Sequence, residues 1–222
     1  MIDHSTILSR FPHPTKARDD LNGLLAVSRE LSSDLLIDAY THGIFPWEVN
    51  ENGVFWFSPP ERLLLAPAEF RVSKSFKKIL KKHEFEIYFD TDFPQIMRHC
   101  AHRTGGSWIA PAMFPAYQKL FEMNVAHSVA AYRENRLVGG LYGVQIGKLF
   151  CGESMFFVEP NASKIALFEL CHNAESLGIS LIDCQIPSEH FLKWGAKIVP
   201  REDYLKIIAP LTRKFSPKKW KL

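Results

Sequence analysis

Apolar positions recur along this chain in two rhythms, and the changes of rhythm divide it into elements. From Ser33 to His42, and again from Ser73 to Lys82, they return every three or four residues, the period of a helix with one buried face. In the second stretch Phe76, Ile79 and Leu80 form the apolar stripe and Ser73 stands where an N-cap belongs. Lys74, Lys77, Lys78, Lys81 and Lys82 fill the opposite face. A third helix is expected from about Ala110 to Glu122, after the turn Thr104-Gly105-Gly106-Ser107. The rhythm then shortens. His127–Tyr132, Leu137–Val144 and Lys148–Phe156 are β-prone runs joined by Arg133-Glu134-Asn135-Arg136 and Ile146-Gly147, which predicts an antiparallel meander. Helical spacing returns over Ala162–Leu177, with a cap at Asn161 or Ser163 and a stop at Gly178, and Ile179–Cys184 reads as a buried strand.

Residues 1–70 have a different texture, rich in turn formers and aromatics such as Gly23, Gly43, Pro46, Trp47, Gly53, Trp56, Pro59 and Pro60. The division expected is a small loop-rich N-terminal domain over residues 1–60 and a second domain over residues 61–222 ending in a basic tail. Three meander strands, a crossover helix and a returning strand make an α+β layered fold, in the order used by N-acetyltransferase-like (GNAT) acyltransferases. One fold hosts many chemistries, so function has to be argued from side chains.

With 222 residues, 46% hydrophobic and 23% charged, the chain can bury a core without disulfide or metal staples. Its longest apolar runs, Leu63–Ala66 and Ile207–Ala209, fall far short of the roughly 20 residues that span a bilayer. The opening residues lack the apolar core of a signal peptide, and four cysteines without an export signal fit a reducing cytosol, so a cytoplasmic protein is expected. Net charge is only +3 but unevenly spread: the lysine helix and a tail with Arg213, Lys214, Lys218, Lys219 and Lys221 read as polyanion contacts or as solvated, solubilising surface. His99-Cys100-Ala101-His102 lacks a second ligand pair, so no metal site is expected. GxSxG, P-loop and HExxH patterns are absent.

Three segments carry candidate chemistry. The turn Val158–Lys164 enters the crossover helix with no glycine and with a proline lacking an N–H, which disfavours a coenzyme A pyrophosphate cradle. Strand alternation over Phe150–Phe156 sets Phe150, Gly152, Ser154 and Phe156 on one face and Cys151, Glu153 and Met155 on the other. A glutamate buried there needs a cation, a hydroxyl or an incoming amine as partner; the alternative is a surface or salt-bridged glutamate. Asp183 and Gln185, two apart, share a strand face, where the aspartate orients the glutamine amide toward an attacking amine, or both satisfy backbone groups at a strand end.

Together these strings acquire an owner. The chain resembles the leucyl/phenylalanyl-tRNA–protein transferase family in Ala39–Trp47, Trp56–Pro59, Ser107–Ile109, Gly139–Val144, Phe150–Phe156, Ala162–Lys164 and Leu181–Gln185. The resemblance implies an enzyme that moves Leu or Phe from aminoacyl-tRNA to the N-terminal Arg or Lys of a protein, marking it for degradation through an N-degron; an apolar donor pocket separates Leu from Met only weakly, so Met is expected as a side substrate. The resemblance implies no added cofactor, since the tRNA ester is already activated; the short apolar runs argue against a membrane partner, and a monomer is expected. By the same resemblance, Asp183 and Gln185 match the proposed catalytic pair and Glu153 a glutamate beside the attacking amine. Trp47 and Trp108 match aromatics that hold the terminal adenosine. Leu141, Phe150, Met155, Leu170 and Ile182 match the aminoacyl pocket, and Lys74 and Lys78 a basic cluster on the acceptor stem. The mechanism expected has Gln185, polarised by Asp183, positioning the amine while Glu153 favours a cationic acceptor.

Departures from the family pattern are Val27-Ser28-Arg29-Glu30-Leu31 in place of a Gly-Gly-Asp-Leu turn, Phe57 for a tryptophan, Pro60-Glu61-Arg62, and Lys193-Trp194-Gly195. They bear on adenosine contacts or acceptor preference. A coenzyme A-dependent N-acyltransferase and a non-enzymatic RNA-binding protein are the rival readings.

Overall fold

Two sheets organise the residues described, 9–102 and 106–220 of this computed structural model. Thr104 and Gly105 of the expected turn, and Lys221 of the basic tail, lie outside them. The turn formers of the N-terminal segment delimit a small antiparallel sheet. Its strands β1 (Leu24–Ser28), β2 (Phe45–Asn50) and β3 (Gly53–Phe57) lie in the order β1-β3-β2, with helix α1 (Ser33–Thr41) between the first two in sequence. Ser32 caps α1 by accepting the Leu35 N–H at 3.3 Å. Gly23 admits the close approach of Ser58, whose carbonyl oxygen a Cβ there would meet at 2.4 Å.

The large sheet draws on the rest of the chain. Its elements in sequence are β4 (Glu61–Leu65), α2 (Lys74–Leu80), β5 (Glu86–Phe89), α3 (Phe93–Ala101), α4 (Phe114–Glu122), β6 (Ala126–Arg133), β7 (Arg136–Ile146) and β8 (Leu149–Phe157). There follow α5 (Ala162–His172), α6 (Ala174–Leu177), β9 (Leu181–Asp183), α7 (Glu189–Lys193), β10 (Lys197–Pro200) and α8 (Arg201–Thr212). Seven strands run in the order β10-β4-β9-β8-β7-β6-β5, and only β8 and β9 pair in parallel, across the α5 crossover. The β6-β7-β8 meander and its crossover are as expected. Apolar side chains cover both faces: Ile96, Met97, Tyr117 and Leu120 of α3 and α4 pack on one, and Leu167 and Leu170 of α5 on the other.

Three expectations need correction. The helix expected over Ala162–Leu177 is interrupted at Asn173, whose side chain donates to the Glu169 carbonyl at 2.9 Å and competes with the regular ladder. Of the two expected caps, Asn161 takes the N-cap position, in a left-handed conformation without a side-chain bond. The strand expected over Ile179–Cys184 is only three residues long. Strand alternation fails in β8. Tyr142 faces Ser154 while Gly143 faces Gly152, so Glu153 is the extra residue of a β-bulge. Beyond it the faces exchange: Phe150 shares its core with Met155, and Cys151 shares the opposite core with Phe156.

The basic tail is held, not loose. Phe215 and Trp220 are buried, and Trp220 joins the core beside α5.

Candidate active site

The bulge and the short parallel strand together open the site. The β8–β9 ladder ends at Cys151 facing Asp183, and past that point one chain continues through Gly152-Glu153-Ser154-Met155 while the other turns away through Cys184-Gln185-Ile186. Both segments line a cavity of about 300 Å³. Leu141, Phe150, Met155, Leu170 and Ile182 all contribute to its wall, so the five residues assigned to one pocket from sequence do meet. Trp47 and Trp108 also line it and are shared with a shallower groove that includes Asn22, Glu48, Val49 and Phe57. Trp47 is half-buried and set edge-on to Phe57, 5.3 Å between ring centres, at the position where the family pattern has another tryptophan. Lys74 and Lys78 stand elsewhere, exposed on α2, which is fixed by Ser73 capping the Phe76 N–H and by Phe76 against Phe168.

Glu153 is the polar centre of the cavity. Its carboxylate accepts from Tyr117 Oη at 2.8 Å and from Gln185 Nε2 at 2.8 Å, and Tyr117 Oη lies 2.7 Å from Tyr40 Oη. Three hydroxyl and amide groups therefore answer the requirement for partners, with no cation among them. Burial pushes the Glu153 carboxyl up to about 7, against the opposing hydrogen bonds from the tyrosines and Gln185. Burial, and then the Glu153 charge, raise both tyrosines well above their ordinary range, so they stay protonated.

Asp183 is placed differently from the expectation. It is fully buried and does not line the cavity. Arg62 forms an ion pair with it, Tyr204 Oη donates to it at 2.7 Å, and it accepts the backbone N–H of Gln185 at 2.8 Å. Arg62 also donates to the Gly43 carbonyl at 2.9 Å, and its guanidinium stacks on the Tyr204 ring at 4.3 Å. The aspartate thus orients the main chain of Gln185, and Glu153 orients its amide. Gln185 lies outside β9 with φ +64°, so the two residues do not share a strand face. A buried non-glycine residue in the left-handed region is held there at a cost, which the Asp183 bond to its N–H helps to meet. Gln185 Oε1 has no partner among the described residues and belongs to a side chain on the cavity wall.

Arg62, Tyr204, Tyr40 and Tyr117 complete this machinery without having been assigned to it from sequence. Arg62 stands in a segment noted only for departing from the family pattern, and Tyr40 lies inside one of the matching strings. Their partners are 121 residues away for Arg62 and 77 for Tyr40, separations that no local pattern encodes.

Comparison with known proteins decides the family. The family model for leucyl/phenylalanyl-tRNA protein transferase matches residues 64–209, and that for the N-terminal domain of the same transferase matches residues 29–60. The chain belongs to the leucyl/phenylalanyl-tRNA–protein transferase family. Relatives of that name include one from Thiobacillus denitrificans, 47% identical over 93% of this chain and 92% of its own length. Another, from Dechloromonas aromatica, is 42% identical over 98% of this chain and 95% of its own. Solved structures similar to it include FemX, at TM-score 0.47 and 10% identity over 79% of this chain and 71% of that one. A GCN5-related N-acetyltransferase from Kribbella flavida reaches TM-score 0.41 at 11% identity, over 74% and 59%. The chain is therefore a transferase with aminoacyl-tRNA as donor and a protein as acceptor. Among the described residues no helix is long and apolar enough to cross a membrane.

Proposed function

We propose that the cavity holds the Leu or Phe side chain of the donor, with Met as a side substrate, and that the acceptor is the N-terminal α-amine of a protein beginning with Arg or Lys, which the transfer marks as an N-degron. The observation that carries this reading is one apolar cavity bounded by Leu141, Phe150, Met155, Leu170 and Ile182, with Glu153 and Gln185 on its wall and Trp47 and Trp108 beside them. The division of labour pairs an N-terminal domain, residues 1–60, that supplies Phe45, Pro46 and Trp47 to the cavity and Tyr40 behind Tyr117, with a C-terminal domain, residues 61–222, that supplies the rest. The flat faces of Trp47 and Trp108 suit stacking with the terminal adenosine. Lys74 and Lys78 suit the phosphates of the acceptor stem, giving affinity that falls with salt and depends little on tRNA sequence.

The reaction is aminolysis of an ester. The acceptor nitrogen attacks the carbonyl carbon, a C–N bond forms, and the carbon–oxygen bond to the ribose breaks. The nitrogen loses a proton and the ribose oxygen gains one. Gln185 Oε1 accepts a hydrogen bond from the incoming amine and sets its line of approach. An amide oxygen is too weak a base to take the proton, so this contribution is orientation. Glu153, held at about 7, has an affinity suited to receiving it from an α-amine, whose ordinary pKa is about 8. Its charge also favours a cationic acceptor side chain. Asp183 is a positioning residue, acting through the Gln185 main chain.

Incubation of the protein with radiolabelled Phe-tRNA and a peptide beginning with Arg, beside the same peptide beginning with Ala, tests the reading. Transfer to the Arg peptide alone supports it, and equal transfer to both removes the acceptor assignment.

A further inference from the structure

The C-terminal segment carries a residue that backs the wall of the donor pocket. Trp220 is 4% exposed and lies face to face with His127 on β6, 4.2 Å between ring centres with planes 3° apart. Its indole N–H donates to Gln145 Oε1 at 2.8 Å, and its backbone N–H approaches Asp90 Oδ2 at 3.4 Å. Asp90 in turn holds His127 Nδ1 at 2.9 Å, and Gln145 donates to the Gly147 and Leu177 carbonyls at 3.1 Å each. The indole is thus pinned by the His127 ring on β6 and by Gln145 on β7, the latter itself fixed by the Gly147 and Leu177 carbonyls. Its remaining neighbours are Phe89 at 5.9 Å and Phe150 at 5.7 Å.

Phe150 lines the cavity and Trp220 does not. The Phe150 ring lies so close over Gly143 that a Cβ there would come within 2.5 Å of its Cζ. Against that backbone on one contact and the indole on another, the ring has no room to retreat. The depth of the cavity at this wall is set by a residue outside it, supplied by the irregular segment that follows α8.

We infer that Trp220 is a positioning residue that fixes Phe150 and thereby sets the balance between Leu and Phe donors. This rests on the reading of the cavity as the donor side-chain pocket. Removing the indole leaves a void behind Phe150 into which its ring moves, deepening the pocket and favouring the longer aromatic donor. Pockets of this type separate side chains differing by one methylene by roughly 10- to 200-fold, and a change transmitted through one ring should recover a fraction of that, about fivefold.

The test is a competition between Leu-tRNA and Phe-tRNA for one Arg peptide, read as the ratio of kcat/KM, with the full-length protein, W220A, W220L and W220F, and with M155A as a variant of the wall itself. Expected is a ratio shifted about fivefold toward Phe in W220A and W220L and restored to within about twofold in W220F, whose ring keeps the backing contact. A purely structural loss lowers transfer from both donors equally and leaves the ratio fixed. An unchanged ratio in the Trp220 variants beside a shifted ratio in M155A overturns the inference and leaves the pocket reading standing. Unchanged ratios in all of them overturn both. Loss of the melting transition in both W220A and W220L makes Trp220 a stability residue and likewise overturns it.

Discussion

Glu153→Gln should make this enzyme more stable at alkaline pH while stopping its chemistry. The carboxyl is buried at the bulge of β8 and pushed from 4.5 up to about 7. A raised carboxylate pKa means that the folded protein holds the proton more tightly than the unfolded chain. The stabilisation from protonated Glu153 is therefore complete below about 4.5 and is lost as pH rises through about 7. At about 1.4 kcal/mol per pH unit between those two values, wild type forgoes about 3 kcal/mol at pH 8 relative to a neutral group in the same place. Glutamine is such a group, and its carbonyl still accepts from Gln185. Its amide must turn the Tyr117 hydroxyl from donor to acceptor, which offsets part of the gain. For a chain of this length, 1 kcal/mol moves Tm by about 2–4 °C, so E153Q should melt up to about 10 °C higher at pH 8. The gap should close as pH is lowered to 5. Thermal unfolding of both proteins from pH 5 to 8.5, beside single-turnover transfer, measures it. An E153Q protein that is less stable at every pH, or whose advantage grows with acidity, refutes the assignment of Glu153 as a desolvated carboxylate.

Further outcomes follow from the same geometry. Tyr117→Phe removes a hydrogen bond that favours the charged form of Glu153, so the acid limb of the kcat/KM profile, expected near pH 7, should move to higher pH, with rate recovered above it; a limb that stays in place argues against Glu153 as the proton acceptor. Asp183→Asn leaves Arg62 buried without its counter-charge, a change worth about 3–5 kcal/mol, and should lower Tm by about 10 °C and reduce kcat with donor KM nearly unchanged, checked by calorimetry and steady-state transfer. Replacing Lys74 and Lys78 by Ala should weaken tRNA binding alike for different tRNA bodies and flatten the plot of log affinity against log salt by about one unit per residue, measured by filter binding.

What the sequence made legible was what depends on local spacing. The β6-β7-β8 meander, the Ser73 cap and the apolar stripe of α2 are each written in neighbouring residues, and they are present in the fold. The five wall residues were assembled from a family resemblance, and the cavity gathers them. Period-two alternation misplaced Phe156 relative to Phe150, because a bulge inserts one residue and exchanges the faces beyond it. The same rule misplaced Gln185 relative to Asp183, because β9 stops before it. In both places the departure from regular geometry puts a polar side chain on the cavity, so local rules fail where the site is made.

The buried Arg62–Asp183 pair is the clearest case of structure that stability alone does not explain. An ion pair taken wholly out of water is seldom worth more than a well-packed apolar pair of the same volume. Here Arg62 is 1% exposed and Asp183 0%, and burial opposes the Arg62 charge that Asp183 restores. What the pair supplies that apolar side chains lack is direction. Arg62 engages both Asp183 oxygens, Oδ2 together with Tyr204 and Oδ1 through Nε at 3.3 Å, and that fork turns Oδ1 toward the Gln185 N–H, which it accepts at 2.8 Å. That bond fixes a left-handed residue whose amide then reaches Glu153 at 2.8 Å. On the proposed role of Gln185, the charge in the core acts at one remove from the chemistry, through the main chain. Removing both partners together with apolar residues separates the two roles. The double replacement should restore much of the stability lost in D183N, because no charge is left unpaired, and should not restore kcat, because nothing then holds Gln185. Recovery of kcat along with Tm would show that Asp183 serves the fold alone.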